Sequence, residues 1–263
     1  MNILVCIKRV PDTWENEIGL NSDGSDIERE DLVYSVNEWD NYAVEEAIRI
    51  KERFGGRVTV VTVGDEEDKE GLRREMAMSA DEGILISDPA FSDVDGYMLA
   101  RILQAEVEKG EYDLVLTGVQ ADDGAGQVGG MLAAMLDWPF ASIVTQVEVL
   151  DEKTLRVARE MGGGNQEVDE MDLPAVLSIQ TGINEPRYVG LRGIRKVASV
   201  DIPVHDKSWL GLSGDSDNPL DPRVRRLDYF VPETGQGAEI LDGTTEEVVE
   251  RLVEILKAKG GIK

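Results

Sequence analysis

The chain has 263 residues, 41% hydrophobic and 30% charged, enough to bury a sizeable core in one α/β domain with appendages or in two small domains. A formal net charge of −26 argues against nucleic acid and anionic membrane as partners, because both would repel it, and no apolar run reaches the ~20 residues that cross a bilayer. One cysteine, Cys6, and one histidine, His205, exclude a disulfide framework and a cysteine-held iron–sulfur cluster, and leave little room for His-based metal sites or for Ser–His and Cys–His dyads.

The expected elements begin with a buried strand over Asn2–Ile7, carrying Cys6 as a plain packed thiol, and without a secretory leader pattern before it. A helix follows over Trp39–Phe54, with Ala43, Ala47, Ile50 and Phe54 on one face, and Gly55-Gly56 ends it. Val58–Val63 is a second strand stopped by Gly64. A second helix turns Leu72, Met76 and Ala80 inward, Ile84–Ile86 is a short third strand, and Leu99, Ile102 and Leu103 mark a third helix. Leu114–Thr117 is a fourth strand, then a Gly-rich loop, then a helix bearing Val128, Met131, Leu132, Met135 and Leu136 that Pro139 closes. Repeated β–α units predict a Rossmann-like, mostly parallel sheet with helices on both faces, in which ligands collect at the carboxyl ends of the strands.

Beyond Pro139 the pattern changes. Ile143–Leu150 and Thr154–Arg159 alternate around Asp151-Glu-Lys153, a predicted β-hairpin, and Pro174 opens a strand over Ala175–Ile179. From Pro203 to about Gly237 the chain is rich in Gly, Pro, Asp and Ser, which reads as an extended arm. The arm ends in a helix, Thr244–Ala258, with a Thr244/Glu247 capping box and an apolar stripe of Val248, Val249, Leu252, Ile255 and Leu256. Such a stripe lies against its own domain or against a partner. The expected division is a nucleotide-binding α/β domain over 1–204, with a recognition loop near 183–196, and an arm and helix over 205–263.

Chemistry concentrates in the loop Gln120-Ala121-Asp122-Asp123-Gly124-Ala125-Gly126-Gln127-Val128-Gly129-Gly130. Gly124, Gly126 and Gly129 spell GxGxxG, but on the fourth β–α unit, seven residues beyond Thr117, and with no acidic residue about 20 positions on at a strand end. Hydride transfer to a dinucleotide is therefore disfavoured. Glycines exposing backbone N–H groups at a helix N-terminus still make a phosphate cradle, and a loop that merely turns tightly is the alternative. Asn37-Glu-Trp39-Asp40 and Val63-Gly64 meet this loop at one sheet edge, which favours a nucleotide pocket. With no carboxylate pair, metal cluster or activated nucleophile there, the pocket binds and does not catalyse.

Several strings resemble the β subunits of electron-transfer flavoproteins. These are Val5-Cys-Ile-Lys8-Arg-Val-Pro11-Asp12, Asn37-Glu-Trp-Asp-Asn-Tyr-Ala-Val-Glu-Glu-Ala47, Ala77-Met-Ser-Ala-Asp81, Gly118-Val-Gln120-Ala, Leu136-Asp-Trp-Pro139, Leu173-Pro-Ala-Val176 and Asn184-Glu-Pro-Arg-Tyr188, in matching order from residue 2 to about 204. The resemblance implies a non-catalytic electron carrier, obligately paired with an α subunit that holds most of a redox-active FAD. Its arm would embrace that subunit. Electrons would come from acyl-CoA-type or related flavin dehydrogenases and go to a quinone-linked acceptor. It also implies a second nucleotide, AMP or in electron-bifurcating members a second FAD, lined here by Cys6, Asn37, Asp40, Val63, Gln120, Ala121, Asp122, Asp123, Gly124, Ala125, Gly126, Gln127 and Val128. Trp39 would sit beside the α-subunit flavin, Glu160 would orient the flavin domain, and Leu191 would be an apolar anchor docking on the dehydrogenase. The phosphate loop is one residue shorter than the family's Gln-Ala-x-Asp-(Gly/Asp)-Asp version. Asp93–Leu99 lacks the Asp-Thr-x-Ala-Thr-Ser string of bifurcating members, which favours AMP. A universal-stress-type regulatory protein would share the β–α units but leave the hairpin, Asn184–Tyr188 and the last helix unexplained. The acidity, with Arg in excess of Lys, suits a cytoplasmic protein of a salt-loving host or one with a basic partner.

Overall fold

The computed structural model describes residues 1–92, 94–212, 221–233 and 237–262; Asp93 and parts of the expected arm, 213–220 and 234–236, lie outside the described residues. In chain order the strands are β1 (Asn2–Cys6), β2 (Arg9–Pro11), β3 (Tyr34–Val36), β4 (Arg57–Val63), β5 (Glu82–Ile86), β6 (Leu114–Gly118), β7 (Phe140–Val149), β8 (Thr154–Glu160), β9 (Gln166–Asp172), β10 (Ala175–Ile179) and β11 (Val204–His205). The helices are α1 (Glu38–Phe54), α2 (Lys69–Met78), α3 (Gly96–Val107), α4 (Val128–Leu136), α5 (Leu191–Val197), α6 (Lys207–Leu210) and α7 (Thr245–Ala258).

Nine strands form one sheet in the order β11-β5-β4-β1-β6-β10-β7-β8-β9. Neighbours from β11 to β7 run parallel, and β7, β8 and β9 are antiparallel. The α/β expectation holds, and its layering follows from strand alternation. On β1, Ile3 and Val5 join one apolar cluster with Ala43, Ala47 and Ile48 of α1 and Leu72 and Met76 of α2. Leu4 joins the other, with Ile102 and Leu103 of α3 and Leu132 and Ala133 of α4. Helices thus cover both faces.

The expected hairpin forms, β7 pairing antiparallel with β8, and Gln166–Asp172 pairs with β8 along its length to extend it to three strands. Three sequence expectations need correction. Phe54 is exposed at the end of α1, since the apolar face closes at Ile50. The stretch opening at Leu191 is a short helix, not a loop. Val204–His205 is not linker: Leu85 N–H donates to Pro203 O at 3.0 Å and Ser87 N–H to His205 O at 3.0 Å, adding an edge strand.

The chain divides into two compact units, one of Met1–Ile18 with Arg29–Leu227 and one of Gly19–Glu28 with Asp228–Lys263. In the second, Thr244 and Glu247 cap α7 reciprocally as expected, and no residue of α7 is buried.

Candidate functional site

Strand order reverses at β1, with β4 on one side and β6 on the other. The crevice between the carboxyl ends of β1 and β6 is therefore the switch point where an open parallel sheet takes a ligand. α1 starts directly above it. Asp40, buried in its first turn, accepts from the Lys8 N–H at 2.8 Å and the Gly118 N–H at 3.1 Å, joining the chain after β1 to the end of β6. Asn37, also buried, donates from Nδ2 to Gln120 O at 2.8 Å, tying the helix entrance to the loop. Trp39 Nε1 donates to Gln180 Oε1 at 3.1 Å, just past β10. These contacts need a glycine at 118, where a Cβ would lie 2.4 Å from Asp40 Oδ1 and 2.6 Å from Trp39 Cβ.

The loop itself is open. Asp122 to Gln127 are exposed, and Lys8 Nζ braces it by pairing with Asp123 at 2.7 Å. Gly126 takes φ +64°, with Val119 O 2.8 Å from where a Cβ would stand. α4 begins at Val128 without a side-chain cap, so its first-turn N–H groups are free for an anion. Asn37 Oδ1 is buried without a partner.

Burial sets the electrostatics of the crevice. Burial, then the charges of Asp40 and Glu106, push the Cys6 thiol well up, so it stays protonated at the end of β1. Burial raises the Asp40 carboxyl to about 7 against the pull of its N–H donors. His205 is spent elsewhere, with Nδ1 2.8 Å from the buried Glu106 Oε2 and its ring stacked on Trp209. Among the described residues no group of three or more His, Cys, Asp or Glu could hold a metal.

The structure brings Cys6, Asn37, Asp40, Gln120 and the loop to Val128 onto one edge with Trp39, and Val63 ends a neighbouring parallel strand on that edge. Glu160 and Leu191 stand apart, Glu160 exposed at the end of β8 and Leu191 exposed at the start of α5. Lys8 and Gln180 were missed; only Lys8, the first of two cations that follow an apolar strand, left a sequence trace. Asn184-Glu-Pro-Arg-Tyr188 works as a clamp on α1. Asn184 Nδ2 donates to Tyr42 O and Glu46 Oε2, both at 3.0 Å, while Arg187 binds Glu45 at 2.8 Å and Glu52 at 2.7 Å.

A family model described as the electron transfer flavoprotein domain matches residues 26–208. The chain is 35% identical to the electron transfer flavoprotein subunit beta of Methylophilus methylotrophus, over 97% of this chain and 98% of that one. Its counterpart in Thermoanaerobacterium thermosaccharolyticum is 37% identical over 98% and 99%. The caffeyl-CoA reductase-Etf complex subunit CarD of Acetobacterium woodii is 36% identical over 98% and 99%.

Proposed function

Because the chain belongs to the electron transfer flavoprotein family, as a β subunit, we propose that it is the small half of a heterodimer that takes electrons from flavin dehydrogenases and passes them to a quinone-linked acceptor. The α subunit would hold the redox-active FAD, which when bound supplies the electron-accepting chemistry. This chain would supply a nucleotide site, one wall of the flavin's surroundings and the docking surface. The observation that carries the reading is the switch-point cluster, a crevice with an uncapped helix start and an open acceptor at Asn37.

The donor set suits a nucleoside phosphate. The N–H groups that open α4 would hold the phosphate, and Lys8 would keep Asp123 from facing it alone. Asn37 Oδ1 would accept from an amino or hydroxyl group of the nucleoside. AMP is the nucleotide we favour, on the residues at 93–99. The likeness to a caffeyl-CoA reductase-Etf complex subunit supports a second reading, a CoA-ester reductase complex with a second FAD in that site. Trp39, anchored by Gln180, would exclude water beside the α-subunit flavin, Glu160 would orient the flavin domain, and Leu191 would dock on the dehydrogenase. The unburied α7 supports an arm that finds its cover on the α subunit.

Co-expression with the α subunit and chromatography of the denatured heterodimer test this. FAD with AMP in equal amounts supports the carrier reading, and FAD at twice the heterodimer supports the second. A heterodimer with no nucleotide beyond the α-subunit FAD overturns the site.

A further inference from the structure

We propose that the root of the C-terminal arm supplies a phosphate ligand, Arg223, to the nucleotide crevice, and that Asp95 is the clasp that holds it there. The inference rests on the nucleotide reading above and adds a ligand from a distant part of the chain. Asp95 caps α3 by accepting from the Met98 N–H at 2.8 Å. The same carboxylate accepts from the Arg223 N–H at 2.6 Å and the Val224 N–H at 2.8 Å, 128 and 129 residues away. Residues 221–227 form neither helix nor strand, so Asp95 gives these two N–H groups the partner that secondary structure does not. The next residue, Gly96, packs on the glycine loop. A Cβ there would lie 3.3 Å from Gln127 Oε1 and 4.0 Å from Val128 Cγ2, where α4 starts without a side-chain cap. The first turn of α3 thus holds the arm with one residue and touches the phosphate cradle with the next.

Arg223 is the cation that this juxtaposition delivers. Its guanidinium carbon lies 4.9 Å from the centroid of the Tyr97 ring, a contact that steadies the head without using its N–H donors. The residue is exposed and forms no ion pair among the described residues. In a chain with 53 acidic residues against 27 basic ones, an arginine without a carboxylate is out of place. The cradle has a use for it. Its loop presents Asp122 and Asp123, and Lys8 is already spent on Asp123 at 2.7 Å. A phosphate on the α4 N–H groups would meet that excess of carboxylate with only backbone dipoles to offset it. The planar fork of an arginine matches phosphate oxygens and fixes their orientation through charge-assisted bonds. The crevice then grips its ligand at two ends, the nucleoside at Asn37, whose Oδ1 is buried without a partner, and the phosphate between α4 and the arm.

The test uses the heterodimer and labelled AMP, with unlabelled AMP and adenosine as competitors. Wild type is compared with Arg223→Gln, with Asp95→Ala, and with Arg53→Gln, which removes the same charge at the far end of α1. The α-subunit FAD content confirms that each variant is folded. Arg223→Gln should weaken AMP about ten- to hundredfold and adenosine less than about threefold. Its AMP affinity should also fall less steeply with added salt. Asp95→Ala frees the arm root while Arg223 stays in the chain, and should lose the same preference for AMP over adenosine. Arg53→Gln should match wild type. An Arg223→Gln heterodimer that keeps the wild-type preference overturns the assignment. So does equal weakening of AMP and adenosine, which a merely packing arm would produce, or an equal loss in Arg53→Gln. A loss in Arg223→Gln without one in Asp95→Ala overturns the clasp and leaves the ligand. If the wild type binds AMP no better than adenosine, the nucleotide reading itself fails.

Discussion

Glu75 offers a sharp test of how this fold handles buried charge. It lies on α2 with no exposed surface; Arg74 contacts one carboxylate oxygen and bridges to Asn41 of α1, and Oε2 has no partner. Burial dominates and raises the carboxyl from 4.5 to about 7, against the pull of Arg74. The folded value lies above the unfolded one. Below pH 4.5 both states hold the proton and the group costs nothing. Between 4.5 and 7 the unfolded chain releases it first, so stability falls as pH rises, and above 7 the loss is constant. At 1.36 kcal/mol per pH unit the full loss is roughly 3 kcal/mol. Glu75→Gln removes it but also weakens the Arg74 contact by about 1 kcal/mol. The variant should therefore be more stable than wild type at pH 8 by about 2 kcal/mol, a rise of about 4–8 °C in melting temperature. The gain should shrink steadily toward pH 4.5. Since the Glu75 charge also raises Asp40, Asp40 should ionise at lower pH in the variant. Melting curves of the heterodimer from pH 4.5 to 8.5 decide the matter. A variant less stable at pH 8, or a difference that does not change with pH, refutes the argument.

Arg187→Ala strips the buried Glu45 of its closest cation and leaves only Arg49 at 3.0 Å; we expect a loss of about 2–4 kcal/mol by denaturant titration, and no loss would mean the clamp is ornamental. Gly126→Val places a branched side chain at φ +64° against Val119 O, so the nucleotide released on denaturing the heterodimer should drop sharply while α-subunit FAD remains; unchanged nucleotide in a folded variant rules out the cradle. Leu191→Ala should slow reduction by the dehydrogenase roughly ten- to hundredfold at limiting concentration without moving the melting temperature, because the side chain is exposed; a drop of many degrees would show a packing role. Truncation after Leu227 keeps β11 and the first unit intact, and should abolish pairing with the α subunit; unaltered pairing would remove the arm from the interface.

The parallel part of the fold was legible because its strands are continuous β-branched runs and its helices carry a one-sided apolar stripe, signals that local sequence encodes. β9 was not. Gln-Glu-Val-Asp-Glu-Met-Asp reads as a solvated face, and only its partner makes it a strand: Arg156 pairs with Glu170 at 2.8 Å and Arg159 with Glu167 at 2.5 Å across β8. Polar residues qualify for a strand when the neighbouring strand supplies opposite charge, which no window of one segment reveals. α5 hid behind Gly193, which lowers helix propensity. There a Cβ would come within 2.6 Å of Ala77 O, so the glycine is the condition for α5 to sit on α2. The site was half legible for the same reason. The glycine loop and Asn37 carry local signatures, but Asp40 is made a site residue by backbone N–H groups of Lys8 and Gly118, 32 and 78 residues away. Its buried charge at the start of α1 was a visible anomaly on an otherwise apolar face. Buried acids of this kind (Asp40, Glu45, Glu46, Glu75, Glu106) are where the sequence conflicts with its own helical pattern. Four of them turn out to fasten distant segments: Asp40 the crevice, Glu45 and Glu46 the segment that leads to α5, and Glu106 the edge strand at His205. Glu75 fastens only its neighbouring helix and leaves an oxygen unmet, which is why its replacement is expected to stabilise where the others' would not.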